Sequence, residues 1–102
     1  MATKLTTDVA IPPGELLAEE LAARGMTQRE LARKMGRSEQ VISEIVNAKK
    51  AITAETALQL EEALGISPEI WLNLEAMYRL TLARRARGAT RPAERRRRAA
   101  VR

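Results

Sequence analysis

The side chains best suited to chemistry lie between residues 27 and 50, on what the spacing predicts to be a short helix. Polar side chains occupy its exposed face, at Ser38, Glu39, Gln40, Ser43 and Glu44. The amide of Gln40, which has no obvious partner nearby in the sequence, can pair bidentately with adenine. The carboxylate of Glu39 can accept a hydrogen bond from the amino group of cytosine. We therefore predict that this face reads base edges in the major groove of double-stranded DNA.

A second set of side chains around that helix is suited to phosphates. Its members are amides and cations that flank the predicted reading helix: Gln28, Arg29, Arg37, Asn47, Lys49 and Lys50. Contacts of this kind fix the orientation of a protein on the duplex without reading its sequence. Residues 84–102 add nine Arg against one Glu, so the rest of the chain is acidic overall despite the net charge of +5. Positive charge is concentrated on the motif and the tail, as a phosphate-binding face requires.

Simpler interpretations exist for some of these charges. Carboxylates repel DNA phosphates, so Glu39 would only favour the positive end of the helix dipole and Glu44 would pair with a nearby Arg. The run 95–98 would be a solvated charged segment, although so basic a tail binds any polyanion at low salt. At the level of sequence these alternatives stay open.

The reading helix requires a second helix and a tight turn to position it. Each of the two helices has one apolar face at helical spacing. Those faces comprise Leu31, Ala32, Met35, Val41, Ile42 and Ile45. Thr27 and Glu30 match a capping box at the start of the first helix, and Ser38 can cap the second. With Gly36 at the turn between them, the pattern is that of a helix-turn-helix.

Three further helices are predicted around the motif. The first begins near Pro13 and runs to about Arg24. The fourth follows a cap at Thr53 and ends at Gly65. Its apolar residues are expected to close over the motif, at Ala57, Leu58, Leu60 and Leu64. A fifth helix begins near Pro68.

The fifth helix has more apolar surface than one core-facing stripe explains, so part of it is expected to meet a second copy of the chain. The predicted dimer residues are Trp71, Leu74, Met77 and Tyr78. Trp71 also suits the core of its own protomer, and Tyr78 suits either position. Around one all-α domain at 13–87 we expect a weakly ordered arm at 1–12 and a disordered Arg-rich tail at 88–102.

The composition excludes several classes of function. The chain has no Cys and no His, which removes thiolate chemistry, the usual zinc sites and histidine acid–base catalysis. We expect no metal, no cofactor and no enzymatic activity. No apolar run approaches the roughly 20 residues that cross a bilayer, and the N-terminus lacks the apolar centre of a signal peptide. A cytoplasmic protein without membrane contact is expected.

The order of five helices, with TQRELARKMGRSEQVISEIVNAK in the second and third, resembles the lambda-repressor-like helix-turn-helix family. The likeness covers roughly residues 13–74, with Gln28 opening the first motif helix, Ala32 at the helix crossing and Gly36 at the turn. It implies a five-helix domain whose second motif helix enters the major groove while the first crosses the phosphate backbone. A dimer on a palindromic operator, with half-sites roughly 34–36 Å apart, is the expected arrangement.

A narrower resemblance comes from the flanks of the motif. Three segments are similar to the HigA-type, or VapI-like, antitoxins: IPPGELLAEELAARGMTQ, NAKKAITAETALQLEEALG and SPEIWLNLEAMYRL. This resemblance implies a homodimer that represses its own operon and neutralises a HigB toxin, a RelE-type ribonuclease acting on messenger RNA. The chain departs from the pattern in its Arg-rich tail and at Glu75 and Arg79, which stand where many relatives carry Gln and Asp.

Two other functions are compatible with these residues. One is a stand-alone helix-turn-helix regulator without a toxin partner, which the absence of an adjacent ribonuclease-like reading frame would favour. The other is a protein-binding or RNA-binding module whose reading helix no longer recognises DNA. Equal affinity for an operator and a scrambled duplex would favour that module.

Overall fold

The computed structural model describes residues 10–90, with side chains described through residue 88, and this part of the chain forms five α-helices. These are α1 (Pro13–Arg24), α2 (Gln28–Met35), α3 (Glu39–Val46), α4 (Ala54–Leu64) and α5 (Pro68–Thr90). The described residues contain no strand, and the predicted five-helix, all-α fold is confirmed.

The two predicted termini fall largely outside the described residues. Of the arm expected at 1–12, only residues 10–12 are described. Of the tail expected at 88–102, residues 88–90 form the end of α5. The helix propensity of the Arg- and Ala-rich stretch before them extends the helix past Gly88. Residues 91–102 lie outside the described part of the chain.

Side-chain caps fix where the motif helices begin. Thr27 Oγ1 accepts from the Glu30 backbone N–H at 3.0 Å, and Glu30 Oε1 accepts from the Thr27 N–H at 2.8 Å. This reciprocal pair is the predicted capping box. Ser38 Oγ accepts from the Val41 N–H at 3.2 Å and starts α3. The predicted cap at Thr53 is confirmed as well, since its Oγ1 accepts from the Thr56 N–H at 3.2 Å.

The start of α5 is held by Ser67. Its hydroxyl oxygen accepts from the Glu69 backbone N–H at 3.2 Å and its hydroxyl donates to the Glu69 carboxylate. The hydroxyl donation, together with the Glu69 backbone N–H, lowers the pKa of the Glu69 side chain from its ordinary value. None of the helices described within residues 10–90 combines the length and apolar character needed to cross a membrane.

One apolar core joins all five helices. Its buried residues are Leu17, Leu21, Leu31, Ala32, Met35, Ile42, Ile45, Ile52, Ala57, Leu60, Leu64 and Trp71. Leu58, expected to close over the motif, is instead 52% exposed. One step along a helix turns the side chain by about 100°, so Leu58 points away from the face that Ala57 and Leu60 bury. α4 therefore covers the motif with a narrower stripe than predicted.

Gly36 makes the turn between α2 and α3 in a left-handed conformation, with φ of +67° and ψ of +32°. A Cβ built there would meet no atom within 4 Å, so only the backbone conformation opposes a side chain. We predict that Gly36→Val lowers the free energy of unfolding by about 1–3 kcal/mol. Gly36→Asn should lose less, because Asn tolerates this region. Urea denaturation measures both, and equal losses would contradict this explanation.

Candidate nucleic-acid interface

α2 and α3 pack against each other through Leu31 and Ala32 on one side and Ile42 and Ile45 on the other. The reading face of α3, defined as Ser38, Glu39, Gln40, Ser43 and Glu44, points away from this buried seam. The first three of these residues are exposed and the last two are half-buried. α3 therefore presents the amino-terminal end of its polar face most fully, which is the end that contacts base edges in this motif.

In the free protein the reading face is occupied by its own side chains. Arg29 Nε from α2 lies 3.6 Å from Glu39 Oε1. Gln40 Nε2 donates to Glu44 Oε2 at 3.3 Å. The expectation that Gln40 has no local partner is therefore wrong, because one helical turn brings positions 40 and 44 together. Glu44 accepts from this amide rather than from an Arg.

Both of these contacts are weak. The Arg29 and Glu39 side chains are 74% and 55% exposed, and pairs this exposed contribute about 0–1 kcal/mol. The hydrogen bond between Gln40 and Glu44 is also exposed. The arrangement holds the two side chains best suited to DNA, a guanidinium and an amide, in place without closing them off.

The predicted phosphate-binding residues lie in the first turn of α2, in the turn before α3 and in the segment that follows α3. Arg29, Lys49 and Lys50 are exposed, and Gln28 is half-buried at the start of α2. Asn47 ends α3, and its Nδ2 donates to the Ser43 backbone oxygen at 2.9 Å. Three of the predicted phosphate ligands are therefore cations with their charge open to solvent.

Arg37 is engaged differently from the other predicted phosphate ligands. Its Nη1 donates to Gln59 Oε1 at 2.9 Å and reaches Thr56 Oγ1 at 3.5 Å, both on α4. The side chain is half-buried, so it ties the start of α3 to α4. A phosphate contact by Arg37 would have to use its remaining N–H groups, since a guanidinium has five.

Gly14 supports α3 from the other side, and the sequence prediction missed it. A Cβ at this position would lie 2.2 Å from the Ile45 backbone oxygen and 2.6 Å from that of Val46. The first turn of α1 thus touches the backbone of the last turn of α3. The available signal was a glycine in the first turn of a helix, where it is less favourable than alanine by up to about 1 kcal/mol.

The predicted dimer residues lie on two different faces of α5. Trp71 is fully buried in the core of its own protomer, so its assignment to the dimer seam is corrected. Leu74 and Tyr78 are half-buried, and Met77 is 62% exposed. Ile70 and Leu80, which were not predicted, are 47% and 49% exposed. Ile70, Met77 and Leu80 follow one another at intervals of seven and three, which puts them on the same side of the helix.

Metal binding has no support in the described residues. Within residues 10–90 no three side chains among His, Cys, Asp and Glu are grouped as a metal site would require.

The sequence of the motif and its flanks is similar to that of known proteins. A helix-turn-helix family model matches residues 17–71. Virulence-associated protein I of Dichelobacter nodosus is 41% identical over 75 residues, which are 72% of this chain and 69% of that protein.

Solved structures share the fold. An addiction module antidote protein of the HigA family from Coxiella burnetii is 38% identical, with a TM-score of 0.73 over 78% of this chain and 88% of that one. Antitoxin HigA of Pseudomonas aeruginosa, solved with the higBA promoter, is 32% identical, with a TM-score of 0.74 over 79% and 89%. The chain belongs to the helix-turn-helix family of DNA-binding proteins, among the HigA-type, VapI-like antitoxins.

Proposed function

We propose that this protein is a sequence-specific repressor of its own operon that also neutralises a HigB-like, RelE-type toxin cleaving messenger RNA. The observation that supports the DNA-binding part most strongly is the exposed start of α3, with Gln40 on its surface and Arg29, Lys49 and Lys50 around it. The toxin-binding part is supported by the HigA-family relatives.

On DNA, α3 lies in the major groove with its amino-terminal side chains at base edges, and α2 crosses the phosphate backbone. Gln40 leaves Glu44 and pairs with adenine, while Glu39 leaves Arg29 and accepts from a cytosine amino group. Arg29 then becomes available to a phosphate. The net charge of the protein does not change when these side chains exchange partners. Attraction to DNA therefore comes from the exposed cations at the two ends of α3.

A second copy of the chain completes the operator complex, because one module contacts few base pairs. The exposed stripe Ile70, Met77 and Leu80 is the surface of α5 on which the two copies meet. Two reading helices related by a twofold axis then match a palindrome with half-sites roughly 34–36 Å apart. Analytical ultracentrifugation of Met77→Glu tests the seam: the variant is expected to sediment as a monomer, and an intact dimer would rule out this surface.

The toxin partner is tested by co-expression with the small, basic, ribonuclease-like reading frame next to this chain's own. Co-purification of the two proteins, with loss of toxin activity in the complex, is the expected result. A chain that binds its operator but captures no product of a neighbouring reading frame would instead be a stand-alone regulator.

A further inference from the structure

Glu75, in the middle of α5, contacts a backbone group in a distant part of the chain. Its side chain is only 12% exposed. Its Oε1 accepts a hydrogen bond from the backbone N–H of Ile52 at 3.1 Å, across 23 residues of sequence. Ile52 is itself buried and ends the segment 48–52, termed the α3–α4 linker. A carboxylate from α5 therefore satisfies a buried backbone donor of the linker.

Arg79 makes this buried carboxylate tolerable. Its Nε pairs with Glu75 Oε2 one helical turn along α5. The guanidinium carbon of Arg79 also lies 5.0 Å from the centre of the Tyr78 ring, which holds the cation in place. A carboxylate this buried is costly without a partner, and Arg79 supplies that partner within the same helix.

The other end of the linker is fixed by the last turn of α3. The Glu44 backbone oxygen accepts from the N–H groups of Lys49 and Lys50 at 2.8 and 3.2 Å. Ala48 takes a φ of +61°, a conformation that is unfavourable for an alanine and is imposed here by its neighbours. Lys49 and Lys50 are therefore held between two anchors, the Glu44 carbonyl on one side and the Glu75 carboxylate on the other.

We propose that Glu75 is a positioning residue for DNA binding, which acts by holding the linker so that Lys49 and Lys50 face the phosphates. This inference rests on the proposed operator binding. Without the Glu75 oxygen, the buried Ile52 N–H has no acceptor, so the linker must open to water. The two lysines then have to be ordered when DNA binds, and affinity for every duplex falls by about fivefold to tenfold. Base discrimination stays unchanged because α3 is not altered.

The test is a double-mutant cycle between Glu75→Met and Lys49→Ala, measured as operator affinity. Met keeps the size and helix propensity of Glu but offers no acceptor oxygen. If Glu75 acts through the linker, the combined loss falls short of the product of the two single losses by about threefold or more. Arg29→Ala is the matched control, because Arg29 lies on α2 and not in the linker. The losses of operator affinity in Arg29→Ala and Glu75→Met are therefore expected to multiply, within about twofold.

Two further measurements separate this role from simple destabilisation. Glu75→Gln keeps an oxygen for the Ile52 N–H and is expected to restore affinity to within about twofold of wild type. Amide exchange at Ile52 in the free protein is expected to speed up about tenfold or more in Glu75→Met but not in Glu75→Gln. If Glu75→Met does not fold, Glu75→Ala takes its place in the cycle.

The results that overturn the proposal differ from those that overturn the function. Independent effects of Glu75→Met and Lys49→Ala, or unchanged Ile52 exchange, would remove the positioning role while leaving operator binding intact. A wild-type protein without preference for its operator would remove the proposed function, yet the exchange measurement would still report on the contact.

Discussion

Gly14→Ala is expected to lower the free energy of unfolding by about 3 kcal/mol or more, at the upper end of the range for overpacking. The added Cβ would lie 2.2 Å from the Ile45 oxygen, 2.6 Å from the Val46 oxygen and 2.9 Å from the Val46 carbonyl carbon. All three are backbone atoms, so no side-chain rotation relieves the contact. Helix propensity alone predicts the opposite sign, since alanine is the better helix former by up to about 1 kcal/mol.

The clash can be relieved only if α1 and α3 separate. Because the last turn of α3 is the part that Gly14 touches, the variant should lose operator affinity as well as stability. Urea denaturation followed by circular dichroism measures the first effect. Gly25→Ala at the other end of α1 is the matched control: its Cβ meets no atom within 4 Å, so its φ of +65° alone sets a loss of about 1–2 kcal/mol. A Gly14→Ala variant no less stable than Gly25→Ala would contradict the close approach of α1 to α3.

Gln40→Ala is expected to remove about 1–3 kcal/mol of discrimination at one base pair of the operator and to leave the other positions unchanged. In the free protein the Gln40 amide is held by Glu44, and the two partners separate when the amide pairs with adenine. Affinities for a set of operators with each base pair replaced in turn measure the effect. The loss of preference should appear symmetrically in the two half-sites.

Lys49→Ala is the matched control for Gln40→Ala. Lys49 is exposed at the far end of α3 and is expected to contact phosphate, so its removal should weaken binding evenly across sequences. The slope of log affinity against log salt should become shallower by about one unit. If Gln40→Ala leaves the preferred sequence unchanged, the docking of α3 proposed above is wrong.

Features of this fold that depend on neighbouring residues were predictable from the sequence. The capping box at Thr27 and Glu30, the caps at Ser38 and Thr53, and the turn at Gly36 each involve groups within four positions of one another. These short-range interactions can therefore be recognised from the sequence alone. The periodicity of α2 and α3 likewise predicted which face is buried, because each of these helices has one apolar face that packs in the core.

Features that depend on contacts between distant elements were missed. The Ile52 N–H and the Glu75 carboxylate are separated by 23 residues, and Arg37 and Gln59 by 22. No local pattern indicates that these groups meet. Gly14 belongs to the same class, because only the approach of α1 to α3 shows why the position excludes a side chain.

The predicted dimer residues of α5 show a different limit of prediction from sequence. Trp71 and Met77 were both among the predicted dimer residues, with the core as the alternative for Trp71. Six positions along a helix turn the side chain by about 120° to another face. Trp71 packs in the core and Met77 faces outward. The density of apolar residues on α5 predicted a second contact surface. Which residues belong to that surface depends on the direction in which each side chain points around the helix axis.

Whether α3 reads a DNA sequence can be decided by a salt titration on two duplexes: the promoter of this chain's own operon and a scrambled version of the same composition. We expect the promoter to be bound about 10³-fold or more tightly than the scrambled duplex at moderate salt. Both affinities should fall as salt rises, since exposed cations supply the attraction to phosphates. Equal affinities for the two duplexes at moderate salt would contradict sequence reading by α3.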